Sequence, residues 1–147
     1  MSHDIEINLR QEKDYRFAID FGAGKPILYG DEPPPLGGGS GPTPVQLLAA
    51  AVGNCLSDSL YFALSKFKQD PQGIATRVTA SVGRNAEGRM RVTQMQVTVT
   101  LGAMAASIEH LDRALAQFES FCTVAQSVGQ GIPIEVAVHD VAGTKVK

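Results

Sequence analysis

The sequence predicts an α+β fold, and three observations carry that expectation. Short strand-like segments open the chain, one long apolar helix with a sharp start signal follows, and a well-marked β-hairpin leads into helical pieces and a final strand. At 147 residues the chain has the length of one domain and needs no disulfide or metal to build a core, so a single domain over 1–147 is expected.

Each element has its own signal. Ile5, Ile7 and Leu9 alternate with Glu6, Asn8 and Arg10, the period of a half-buried strand. Tyr15–Phe21 reads as a second strand, and Gly22-Ala23-Gly24 marks a turn before a third at Pro26–Tyr29. Residues 30–43 are rich in Pro and Gly, which remove ladder donors and make backbone order costly, so they read as a surface loop that delivers the next helix. Thr43-Pro44-Val45-Gln46 is a capping box: Thr at N-cap, Pro at N1, Gln at N3. The helix it opens runs to about residue 68, with lysines near its end and Pro71 beyond. It is apolar on nearly all sides in its first half, which calls for burial in the middle of a fold or a dimer, and Leu48, Ala51, Cys55, Ser59 and Phe62 share one face.

The hairpin is read from Val78, Ala80 and Val82 on one arm and from Met95, Val97 and Val99 on the other, around a Gly83–Gly88 loop. The phase of the second arm slips near Thr93-Gln94, as a β-bulge requires. A helix from Ser107, as N-cap, to Phe118 follows. A third helical piece, Cys122–Val128, ends at Gly129-Gln130-Gly131, and Ile134, Val136 and Val138 form the closing strand.

Composition excludes several function classes. Thirteen Lys and Arg stand against fifteen Asp and Glu, a net charge of -2 with no basic run, so neither nucleic acid nor an anionic membrane is an expected partner. No apolar stretch is expected to reach the roughly 18–20 residues that span a bilayer. The polar, acidic start Met1–Glu6 lacks the basic and apolar regions of a signal peptide, so a reducing cytoplasm is the expected location. His3, His110 and His139 lie far apart and form no ligand motif, so no metal and no cofactor are expected. The Gly37–Gly41 segment lacks the Gly-Lys-Ser/Thr of a phosphate loop, and Ser57 and Ser59 lack a nucleophile motif.

Two cysteines remain. Cys55 sits in mid-helix among apolar residues, where burial alone would suppress its thiolate, so a reactive Cys55 needs a cation beside it. Cys122 falls just inside a helix N-terminus, where backbone N–H groups favour thiolate. On chemistry alone both fit equally as buried small hydrophobes.

The segment Asp31-Glu32-Pro33…Gly37-Gly38…Gly41-Pro42-Thr43-Pro44-Val45-Gln46-Leu47-Leu48 through Cys55 resembles the OsmC/Ohr family, the osmotically inducible protein C and organic hydroperoxide resistance proteins. So does Phe118-Glu119-Ser120-Phe121-Cys122-Thr123-Val124 with Gly131-Ile132-Pro133-Ile134 after it. The resemblance implies an intertwined homodimer with the Cys-bearing helices at its centre, and a thiol peroxidase acting on organic or inorganic hydroperoxides. Cys55 would attack the peroxide and become a sulfenic acid, Cys122 would resolve it as a disulfide, and a dithiol reductant would restore both. Family peroxidases also carry a Glu early in this helix that orients an Arg beside the first cysteine. Here Val45 and Gln46 stand at those positions, and Arg16 is nearest to the Arg by counting, with Arg10 and Lys13 as alternatives. Two other functions fit the same residues: a dimer that binds a small apolar ligand without redox turnover, and a stress-related structural dimer.

Overall fold

The computed structural model describes residues 2–147, which fall into two compact units divided at Leu47/Leu48, inside a helix. In the first unit, β1 (Asn8–Lys13), β2 (Arg16–Asp20) and β3 (Leu28–Gly30) form an antiparallel sheet in the order β1-β2-β3. The β1–β2 turn runs through Asp14 at a φ of 51°. Two expectations need correction here. Ile5–Ile7 are not strand, because Asn8 already pairs with Asp20 and the chain beyond turns away through Gly22 and Gly24, both at positive φ. The predicted alternation also fails to give half-burial, since all six residues of β1 are exposed.

Residues 31–43 form an ordered loop built on one carboxylate. Asp31 is buried, and its side chain accepts from the N–H groups of Glu32 (2.8 Å) and Ser40 (3.0 Å) and from the Ser40 hydroxyl (2.7 Å). These donors hold its pKa below the ordinary 3.8, the Ser40 hydroxyl foremost. The glycines let the loop wrap this closely: a Cβ on Gly37 would stand 2.4 Å from Asp31 Oδ1.

Helix α1 (Pro44–Lys66) starts as expected. The Thr43 N–H donates to Gln46 Oε1 at 2.8 Å, and the Gln46 N–H donates to Thr43 Oγ1 at 3.2 Å. By length and composition α1 could cross a membrane, which corrects the expectation that no stretch approaches that limit. In the second unit, however, its Val52, Leu56, Leu60 and Leu64 are fully buried in the core.

That unit contains β4 (Ile74–Arg84), β5 (Met90–Leu101) and β6 (Ile134–His139) in the order β4-β5-β6, with β4 and β5 antiparallel and β5 and β6 parallel. The bulge lies where the phase slips: Ser81 pairs with Gln94 and Val82 with Val92, leaving Thr93 extra. The core joins Met95, Val97, Val99 and Leu101 of β5 to α1, Phe118 and Val138. Helix α1 approaches β4 so closely at Gly53 that a Cβ there would meet Val78 Cγ2 at 2.6 Å, and Ser57 bonds Thr76 across the same contact at 2.6 Å.

The predicted helix from Ser107 to Phe118 is broken up. A 3-10 turn spans Ala105–Ser107, and Ser107 Oγ returns to the Met104 carbonyl instead of capping a helix. Helix α2 (Leu111–Gln117) begins after His110, whose left-handed φ of 58° interrupts any continuous helix. Ile108, Leu111, Ala114, Leu115 and Phe118 are nonetheless all buried, so the apolar spacing is right about the core and wrong about continuity. A second 3-10 turn, Phe118–Phe121, leads to α3 (Thr123–Val128).

Candidate active site

The two cysteines meet in the second unit. Cys55 comes from the middle of α1 on its half-buried side, one residue before the fully buried Leu56. Cys122 is completely buried and joins the Phe118–Phe121 turn to α3. Both thiols are free. Cys122 is the N-cap residue of α3, not its first turn, and its thiol is pushed up to about 11 from an ordinary 9. Burial is the main cause, and hydrogen bonding and charge interaction with the adjacent Cys55 raise it further. The Ala125 N–H and the Ser59 hydroxyl pull the other way and lose. The expectation that helix geometry makes Cys122 a thiolate is therefore corrected. A single N–H of a six-residue helix does not offset removal of the sulfur from water.

The backbone around Cys122 converges on Glu119. The Glu119 carbonyl accepts the Cys122 N–H at 3.1 Å and Gln126 Nε2 at 3.0 Å, and the Cys122 carbonyl accepts the Gln126 N–H at 2.9 Å. Beside this segment Leu56, Glu119, Ala125, Gln126, Gln130 and Ile134 line a cavity of about 300 Å³. Outside it, Phe62 and Phe121 are both more than half exposed, and Lys66 Nζ sits over both rings, at 4.8 and 5.1 Å.

Arg16 belongs to the first unit and is fully engaged there. Its Nε pairs with Glu12 at 3.0 Å, its Nη1 donates to Ser40 Oγ at 2.9 Å, and its guanidinium stacks 4.2 Å from the Tyr29 ring centroid. Because Ser40 Oγ donates in turn to Asp31, Arg16 is wired to the carboxylate that organises the loop. Arg10 and Lys13, the alternatives, lie on the exposed strand β1. Gln46 is occupied by the capping box.

A family model described as OsmC-like protein matches residues 37–137, which includes both cysteines. The chain belongs to the OsmC-like family. No curated protein matches it in sequence. Solved structures agree on the fold. An osmotic stress induced and detoxification response protein from Psychrobacter arcticus superposes with a TM-score of 0.78 at 18% identity, covering 95% of this chain and 98% of that one. The OsmC-like protein of Mycoplasma pneumoniae gives 0.78 at 15%, covering 96% and 99%. The organic hydroperoxide resistance protein of Bacillus subtilis gives 0.68 at 14%, covering 92% and 98%.

Three residues of this OsmC-like chain escape sequence reasoning. Ser59 shares a helix face with Cys55 but bears on Cys122, a contact visible only once α1 and α3 are packed. Asp31 looks like an ordinary loop acid, and the glycines that begin six residues after it at Gly37 are a slight hint of its role. Lys147 forms an ion pair with Glu119, and no local pattern signals it.

Proposed function

We propose that this OsmC-like protein is a thiol peroxidase that reduces hydroperoxides as a homodimer, with residues 1–147 acting as one domain and a dithiol as reductant. The observation that carries this reading is the pairing of two unlike thiols, a half-buried Cys55 beside a fully buried Cys122. The names of some structural neighbours as organic hydroperoxide resistance proteins support it.

The Cys55 thiolate attacks one peroxide oxygen. The O–O bond breaks, the distal fragment takes a proton and leaves as alcohol or water, and Cys55 becomes a sulfenic acid. Cys122 keeps its proton at neutral pH, so it does not compete for peroxide. Cys122 sulfur then attacks Cys55 sulfur, and the sulfenic oxygen leaves as water with the Cys122 proton. A dithiol reopens the disulfide by exchange and is itself oxidised to a disulfide. The family resemblance assigns Arg16 the part of the arginine that favours the Cys55 thiolate, and Arg16→Met tests that assignment through the rate of Cys55 oxidation.

The deciding experiment is hydroperoxide consumption with a dithiol reductant, with Cys55→Ser alongside. Turnover in the wild type and none in Cys55→Ser is expected. Equal, negligible consumption by both proteins would end the peroxidase reading. A cleft of about 260 Å³ in the first unit, lined by Leu9, Tyr15, Phe17, Ile19 and Leu47, favours a second reading, binding of a small apolar ligand without turnover.

A further inference from the structure

We infer that Lys147 is a positioning residue for Cys122, acting through Glu119 as a clamp that sets how fast the second thiol closes the disulfide. The inference deepens the peroxidase reading, on which its consequence for peroxide handling rests. It starts from the segment 140–147, which is tied down at both ends. Asp140 is buried, accepts the Ala105 N–H on one oxygen, and takes the Ala142 and Thr144 N–H groups on the other. The far end returns to β6: the Val146 N–H donates to the Val138 carbonyl at 2.8 Å, and the Val138 N–H donates to the Lys147 carbonyl at 3.1 Å.

This anchorage delivers one ammonium to one place. Lys147 Nζ donates to the Leu115 carbonyl at 2.6 Å, forms an ion pair with the Glu119 carboxylate, and lies 5.0 Å from the centroid of the buried Phe118 ring. Leu115 lies in the last turn of α2, where a cation is favoured by the negative end of the helix dipole. Glu119 is the residue whose carbonyl receives the Cys122 N–H and the Gln126 side chain. A single chain of contacts therefore runs from strand β6 through Lys147 and Glu119 to the backbone of Cys122. The pair is about one-third exposed, so its contribution to overall stability is small. Its geometric effect is larger, because the Glu119 turn fixes the backbone from which the buried Cys122 thiol faces Cys55. A displacement on the order of 1 Å in a reacting group costs up to about a hundredfold in rate.

The test uses the full chain and separates the two oxidation steps. In Lys147→Met, formation of the Cys55 sulfenic acid by hydroperoxide, followed by a dimedone probe, should stay within about twofold of wild type, while closure of the disulfide slows about tenfold. Slower closure leaves the sulfenic acid exposed to a second peroxide, so sulfinic acid on Cys55 should accumulate at lower peroxide doses. Lys147→Arg, which keeps the charge, should restore closure. Glu119→Gln should reproduce the Lys147→Met defect, and the double variant should be no slower than either single one. Glu119→Gln carries the test if Lys147→Met does not fold. Diamide, which takes two hydrogens from a dithiol to make the disulfide, runs in parallel. If hydroperoxide leaves wild-type Cys55 untouched but diamide closure is slowed in Lys147→Met, the clamp stands and the peroxidase reading falls. Closure at the wild-type rate in both folded variants, or no diamide closure in the wild type, overturns the clamp.

Discussion

Among the strand residues of the first unit only Ala18 and Ile19 are buried apolar side chains, whereas β5 alone buries Met95, Val97, Val99 and Leu101. The two units are thus ordered by different means. Residues 8–47 depend on hydrogen bonds gathered by Asp31, with Ser40 and Arg16 as relays, and leave Leu9, Tyr15, Phe17 and Ile27 exposed. Residues 48–147 depend on apolar burial, broken among the buried residues by Cys122, Ser59 and Asp140. A piece of about 40 residues buries too little surface to stand alone. Its exposed apolar side chains fit the homodimer proposed above, and a stable, folded monomer in sedimentation at micromolar concentration would contradict that proposal.

The contrast can be broken at several points. The largest effect is expected in the apolar core: Phe118→Ala should cost about 3–5 kcal/mol by urea denaturation, since the ring is fully buried. Less should be lost at alkaline pH. The folded state holds the Cys122 proton more tightly than the unfolded chain does. Stability should therefore fall as pH rises from about 9 toward 11 and level off above, and Cys122→Ala should flatten that slope. Gln46→Ala removes one half of the capping box and should cost about 0.5–1 kcal/mol, with little change in peroxide turnover. The smallest global effect is expected at Asp31, and it is local. Its lowered pKa means that the loop keeps its bonds above the ordinary carboxylate range and loses them as pH falls through the folded value. Asp31→Asn should speed hydrogen exchange at the Ser40 N–H already at pH 7.

Local signals in the sequence are read correctly where the physics is local. The capping box at Thr43 and Gln46, the hairpin and its bulge at Thr93, and the core positions Leu111, Leu115 and Phe118 all rest on neighbours a few residues apart. Errors arise where distant partners decide. β1 needs a strand beyond Asp20 to extend through Ile5, and that strand turns away at Gly22. The α2 helix is cut by His110, whose ring packs against Phe67 of another element at 5.1 Å. At the candidate site the sequence singles out the two cysteines, but their environments are not legible along the chain. A helix N-terminus suggests a thiolate at Cys122, and complete burial, invisible along the chain, reverses the sign. The Lys147–Glu119 pair joins residues far apart in sequence and carries no pattern at all.

The central claim, that Cys55 and Cys122 form one redox pair, is tested most directly by peptide mass spectrometry after treatment with excess hydroperoxide. The account predicts a Cys55–Cys122 disulfide within one chain in the wild type. It also predicts sulfenic and then sulfinic acid on Cys55 in Cys122→Ser, and no oxidation of Cys122 in Cys55→Ser. Recovery of both cysteines as unmodified thiols from the wild type would contradict it.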